Sequence, residues 1–460
     1  MTARFVPLAF VGAMAVACTP APEDDPDTTA GDSSDAESES TGIAEPACPT
    51  TTAGPTFHGD EIVGHQIWRA EDGPHVVMSS IAVRDGATLE IEPCSVVRFA
   101  EGTGISVAFP GTPNTGTLLA EGNAEQPITF EGQGGARWGH LLVHSPGVAR
   151  LAHVTMTGGG GVDGRGATVV AEGDGTATAR GLFVDHVVIE GSLGAGVAMS
   201  RRAGFVEGSD ALTITGSGSA LHPFPLEIDE HAMGSLPDGD YTGNQVDEIL
   251  VRPALALSED ATLRELGVPY RIGTSAVDRL SIGAGDDTAT PVTLMIEPGV
   301  TMRFHPGTQL RVEHRSGAFA ATGRLVAEGT AAAPITFTSA ADTPAPGDWV
   351  GVWFGGIVDP MTSLAHVRLE YTGADCGCVL VSCTDVTGYD GAVILSQPPT
   401  SMFVRDSVVA HGAGHGFVLG YTGDGDDLDF AASNTFEDLQ GCDATLPSAP
   451  TCPDPRPTCG

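Results

Sequence analysis

The chain has 460 residues, and its 59 Asp and Glu against 21 Lys and Arg give a formal net charge of −38. A surface of that sign repels phosphate backbones and anionic headgroups, which excludes nucleic acid as a partner and leaves membrane contact to a covalent lipid. No lysine occurs anywhere, so lysine-dependent lyase chemistry is excluded too.

Arg4 precedes an apolar run from Phe5 to Ala17. It is too short to span a bilayer and has the length of a signal-peptide core, so residues 1–17 read as a leader. The run ends Ala15-Val16-Ala17-Cys18, which resembles the bacterial lipobox and implies lipidation at Cys18. Ala15 stands where that pattern prefers Leu, and ordinary signal-peptidase cleavage after Ala17 is the alternative. Residues 18–48 are Thr, Pro, Ser, Ala and acid, with nine acidic residues and no basic one between the two cysteines. Such a stretch has almost nothing to bury and is expected to be a disordered acidic linker carrying the lipid anchor.

Beyond it, apolar runs of about four or five residues bounded by Gly, Pro, Asn or Asp predict short strands and tight turns. Helical periodicity is confined to a turn or two around Glu259 to Leu266. The stretch Ala87-Thr88-Leu89-Glu90-Ile91-Glu92-Pro93 returns as Val292-Thr293-Leu294-Met295-Ile296-Glu297-Pro298. Gly116 to Phe130 returns as Gly323 to Phe337, and Leu151-Ala152-His153-Val154 returns as Leu364-Ala365-His366-Val367. A finer repeat places His153 to Gly158, His186 to Gly191 and Ala211 to Gly216 in one frame. Units of that size cannot bury an apolar face alone and must stack on their neighbours, which predicts an all-β solenoid of two homologous halves, residues 49–240 and 241–441. Leu89, Ile91, Phe99, Ile128 and Phe130, with Leu294, Ile296, Phe304, Ile335 and Phe337, should point inward. Trp138 and Trp349 are equivalent and should pack between coils.

Thr293 to Phe304, the Ala327 to Phe337 block and Asp348-Trp349 resemble the right-handed parallel β-helix repeat proteins of bacterial cell surfaces. Ser235 to Val251 and Leu266 to Ile272 are similar to the same family, and the resemblance spans roughly 58–440. It implies a right-handed parallel β-helix and a surface lipoprotein, and it says little about activity. Cys94 departs from the pattern, which favours Gly.

Apart from Cys18, eight cysteines remain: Cys48, Cys94, Cys376, Cys378, Cys383, Cys442, Cys452 and Cys459. An even set in an exported chain reads as four disulfides. Cys48 and Cys94 are alone in the amino-terminal half and are expected to pair; the other pairings stay open. Cys376-Gly377-Cys378 with Cys383 suggests a zinc site, but no Cys-x-x-Cys and no suitably spaced His pair completes it, so no metal is expected there. The acidic turns Gly283 to Asp287 and Gly423 to Asp429 match no established calcium loop, and Gly158 to Arg165 is a single imperfect copy of a calcium nonapeptide. Weak calcium binding is the one cofactor left open. Residues 442–460 form a Cys- and Pro-rich tail.

Gly414-His415-Gly416 is identical to a short polygalacturonase motif, and Asp426-Asp427 resembles that family's acid pair, but the order is reversed. No nucleophile elbow, phosphate loop or dinucleotide fingerprint is present. Arg98 and Arg303 are equivalent under the duplication, as are His153 and His366, which argues for structural roles. Trp353, Phe354 and Tyr371 cluster in the second copy only and are the glycan-stacking candidates. These observations lead to a non-catalytic lipoprotein of the outer membrane or cell surface with a structural, adhesive or glycan-binding role and a glycan or envelope protein as ligand. The alternative is a carbohydrate-active enzyme, a pectinase-like hydrolase or polysaccharide lyase, on the same scaffold.

Overall fold

The computed structural model describes residues 48–460 except 50, 52, 110–113, 162–165, 285–289, 316–318, 377–388, 423–427 and 449–455. The expected leader, Cys18 and nearly all of the linker lie outside the described residues, as do Cys378, Cys383, Cys452 and most of the carboxylates in the proposed calcium turns. Within the described part the apolar runs become strands whose side chains alternate between buried and partly exposed, as in Ala87–Ile91, Gly116–Glu121 and Gly323–Glu328. That alternation follows from the two-residue period of a strand. The weak helical signal near Glu259 to Leu266 resolves into a strand, Ala261–Leu263, held in register by Val292–Ile296. Pairing within a sheet overrides a local preference of that size.

The strands form an all-β, solenoid-like body of parallel sheets. One 13-stranded sheet runs nearly the whole length, from Ile81–Val83 to Thr435–Glu437. In the amino-terminal part, two further stacks of strands join into a second 13-stranded sheet, because the long strand Ala179–Glu190 belongs to both. In the carboxyl-terminal part a six-stranded and a five-stranded sheet take their place, beginning at Ala256–Leu257 and Ala261–Leu263. The finer sequence repeat is the stacking register itself: Thr155 pairs with Val188, and Val187 with Leu212.

Stacking puts one side chain of each coil directly above its equivalent. Along the full-length sheet the inward column reads Ile81, Ile105, Leu141, Val169, Val197, Leu226, Ile249, Tyr270, Met302, Phe337, Leu369 and Val409. These residues belong to one continuous buried cluster. All ten core residues expected from the duplication are buried, none more than 2% exposed. Phe99 stacks on Trp138 and meets Phe130 edge-on, while Phe304 stacks on Trp349 and meets Phe337 edge-on. The two indoles donate to the carbonyls of Thr157 and Glu370, at 2.8 and 2.7 Å.

The sequence counterparts do not occupy the same sheets. Ile105–Val107 lies in the full-length sheet, whereas its counterpart Gln309–Val312 lies in the six-stranded one. Phe130 belongs to the second 13-stranded sheet, whereas Phe337 belongs to the full-length sheet. Between the counterparts the winding advances by seven pairings along the full-length sheet and then one strand more.

Candidate functional site

Among the described residues a group of buried ionisable side chains gathers in and beside the strands Leu226–Ile228 and Ile249–Val251, just before the six-stranded sheet begins. Glu227, Asp229, Glu230, His231 and Glu248 are all buried. Glu227 meets the Arg252 guanidinium at 2.8 Å and His222 Nδ1 at 3.1 Å. Glu248 meets Arg271 Nε at 2.6 Å and also pairs with Arg303. Buried carboxylates need partners, and each of these two glutamates has its own: Arg252 for Glu227, and Arg271 with Arg303 for Glu248.

Beside them, Glu230 accepts the backbone N–H groups of Ala254 and Leu255 at 2.8 and 2.9 Å. Those residues lead into Ala256–Leu257, the first strand of the six-stranded sheet, so Glu230 pins the chain where that sheet starts. His231 Nε2 lies 3.1 Å from Ser258 Oγ, and its Nδ1 lies 3.0 Å from Glu230 Oε1. Asp229 accepts the N–H groups of Arg202 and His231, and burial raises its pKa.

Serine, imidazole and carboxylate in that order match the arrangement of an activated nucleophile. Two details argue against that use. The Nδ1 contact lies outside hydrogen-bond alignment despite its length, and Arg202 Nη1 donates to Ser258 Oγ at 2.9 Å. With Glu230 and His231 having no exposed side-chain surface, the array reads as a polar lock at the change of cross-section. Nothing in the nucleophile motifs of the sequence indicated it. The available signal was Glu227, Asp229, Glu230 and His231 crowded around a strand-like run, with Arg252 and Arg271 following.

Of the three aromatic residues expected to stack on a glycan, two are buried. Trp353 and Phe354 are only 5% and 1% exposed, because Val352–Phe354 is buried on both faces. The Arg311 guanidinium lies 3.8 Å from the Trp353 ring, and Phe354 meets Phe403 edge-on. Tyr371 is half-buried and stacks on His411. A more open recess of about 620 Å³ is lined by Arg98, Glu131, Arg137, Thr157 and Gly191 among others. Arg98 Nε bonds Glu131 at 2.8 Å there, while the equivalent Arg303 turns to Glu248.

Cys48 and Cys94 are bonded, as expected, and Cys442 bonds Cys459. Cys376 is buried beside Tyr389 and Asp390, whose carboxylate accepts the Cys376 N–H at 2.9 Å. His415 of the Gly-His-Gly motif starts the strand His415–Leu419, and its Nδ1 accepts the Cys442 N–H at 3.1 Å; Asp426 and Asp427 lie outside the described residues. His415, Cys442 and Cys459 lie close enough to ligate a metal, but both sulfurs are committed to their disulfide. At one corner of the second 13-stranded sheet, His153, Asp185 and His186 bring one donor atom each within 4.8 Å of the others.

Comparison of the chain with protein-family models, with curated proteins and with solved structures finds no match. The functional reading therefore rests on this chain alone.

Proposed function

We propose that the chain is an exported, lipid-anchored protein of the outer membrane or cell surface. Its body is a right-handed parallel β-helix of two homologous halves, acting as a non-catalytic structural or adhesive scaffold with a glycan or envelope protein as ligand. The observation that carries this reading is the stapling of both ends of the described body: Cys48–Cys94 clamps the first coils and Cys442–Cys459 the last. Disulfides of this kind belong to oxidising compartments, and ends are where a solenoid is weakest. The repeated Phe–Trp stacking supports two related halves. A glycan fits the recess at Arg98, Glu131 and Arg137, where guanidinium and carboxylate groups can bond sugar hydroxyls.

The anchor is tested by mass spectrometry of the mature amino terminus together with detergent phase partitioning. Acylated Cys18, and release from the detergent phase in Cys18→Ala, are the expected results; an unacylated terminus elsewhere would sink the anchor. Binding is tested on a glycan array with the mature protein. Arg137→Ala should abolish any glycan signal, and an unchanged signal would remove the recess from the proposal.

A further inference from the structure

We propose that the corner formed by His153, Asp185 and His186 binds one divalent cation of the zinc, copper or nickel class. Val148–Ala152 pairs with Ala179–Glu190 so that Ala152 stands opposite Asp185, which sets His153 beside His186 one coil later. Both histidines take the left-handed backbone conformation, at φ 48° and 51°, and both leave the solenoid at the same corner. Their rings stack with centroids 4.7 Å apart, and His186 Nδ1 lies 2.7 Å from Asp185 Oδ1. The His186 and Asp185 side chains are 61% and 38% exposed, so a hydrated ion reaches them directly.

Stacked rings present parallel lone pairs, and chelation requires the imidazoles to rotate until one nitrogen of each converges with the carboxylate. The torsion involved is broad, and the half-exposed position leaves room for it. Two imidazoles and a carboxylate favour borderline transition metals over calcium or magnesium, with the remaining positions filled by water. Asp210, the register partner of Asp185, adds a further exposed carboxylate, and the charge of −38 concentrates cations around the chain.

The turn itself does not require imidazoles. The next coil adopts the same conformation with Ala211 at φ 51°, and the second copy does so with His366 at φ 49°, followed one coil later by Asp406 at φ 52°. His366 therefore has no second imidazole in the next coil at its corner, and it serves as an internal control. This inference rests on the corner geometry and is independent of the surface role proposed above.

The test is isothermal titration of the full mature protein with Zn2+, with metal content measured after dialysis. His153→Ala and His186→Ala should each remove one zinc equivalent or weaken it at least about tenfold, and Asp185→Asn should weaken it less. His366→Ala should leave that equivalent intact, and millimolar Ca2+ should not displace it. Ala211 shows that the corner accepts alanine, and thermal unfolding of each variant confirms that it is folded. Unchanged zinc binding in both histidine variants, equal loss in His366→Ala, or displacement by calcium would each overturn the proposal.

Discussion

His58 shows how one contact fixes a protonation state. The carbonyl of Arg69 lies 2.9 Å from His75 Nε2 and accepts only from an N–H, so His75 carries its proton there and its Nδ1 accepts from His58 Nε2 at 3.0 Å. His58 also stacks on Trp68. Burial, with the neighbouring His75 adding to it, lowers the His58 pKa to about 4, and burial lowers His75 as well. Between that value and the ordinary imidazole pKa the folded state holds fewer protons than the unfolded one. The stabilisation is thus complete above about pH 6.5 and is lost as the pH falls toward 4. Half-exposure of the ring limits the effect to about 1 kcal/mol. Amide protection factors in Thr56–His58 and His75–Val77 should drop over that window, and His58→Phe should shrink the pH dependence. A second residue-scale prediction concerns Phe304, fully buried between Trp349 and Phe337. Phe304→Ala should cost about 3–5 kcal/mol in chemical denaturation, because it removes a fully buried ring and leaves a cavity in a packed core. Cys94 belongs to the same scale: it takes φ 69° where its counterpart Gly299 takes 91°, so the departure from glycine coincides with the bond to Cys48.

At the level of strands and turns, what was legible in the sequence is what repeats. Leu89, Phe130 and their counterparts kept apolar character through the duplication, so their inward direction could be read without coordinates. Glu227, Glu230 and Glu248 occur once, and their burial depends on Arg252, Arg271 and the 254–255 backbone arriving from later coils. Local pattern carries no trace of such partners. For the same reason, aromatic clustering at Trp353 and Phe354 suggested an exposed patch where the strand is buried on both faces. Glu248→Ala should leave two guanidiniums without their buried partner and destabilise by about 3 kcal/mol, whereas Glu121→Ala, which breaks the exposed pair with Arg150, should stay within about 0.5 kcal/mol. A denaturation series on the two variants checks that contrast. The lock reading of Ser258 has its own measurement: the intact protein should take no label from a fluorophosphonate probe. Labelling at Ser258 that disappears in His231→Gln would make the array a hydrolytic centre.

Across the whole molecule, the repeated blocks were visible in the sequence but their phase in the fold was not. Sequence offsets count residues, whereas the phase depends on how many residues each coil consumes, and the coils between the copies are shortened around Leu226, Ile249 and Tyr270. Counterpart strands consequently sit on different sheets, while the full-length sheet runs through both copies and welds them into one inward column. In such an array each coil is held by two neighbours, and a terminal coil by one. The end disulfides supply the missing constraint: Cys48–Cys94 closes 46 residues and Cys442–Cys459 closes 17. Reduction should therefore act locally. Hydrogen exchange after reduction should accelerate in Thr56–His58 and His65–Trp68 at one end and in His415–Leu419 and Thr435–Glu437 at the other, while Val197 to Phe337 of the full-length sheet keeps its protection. Cys442→Ser with Cys459→Ser should reproduce only the carboxyl-terminal half of that pattern, at a cost of about 2–4 kcal/mol. Uniform loss of protection along the sheet would show that the ends govern the whole column, and the two copies would then unfold as one cooperative unit.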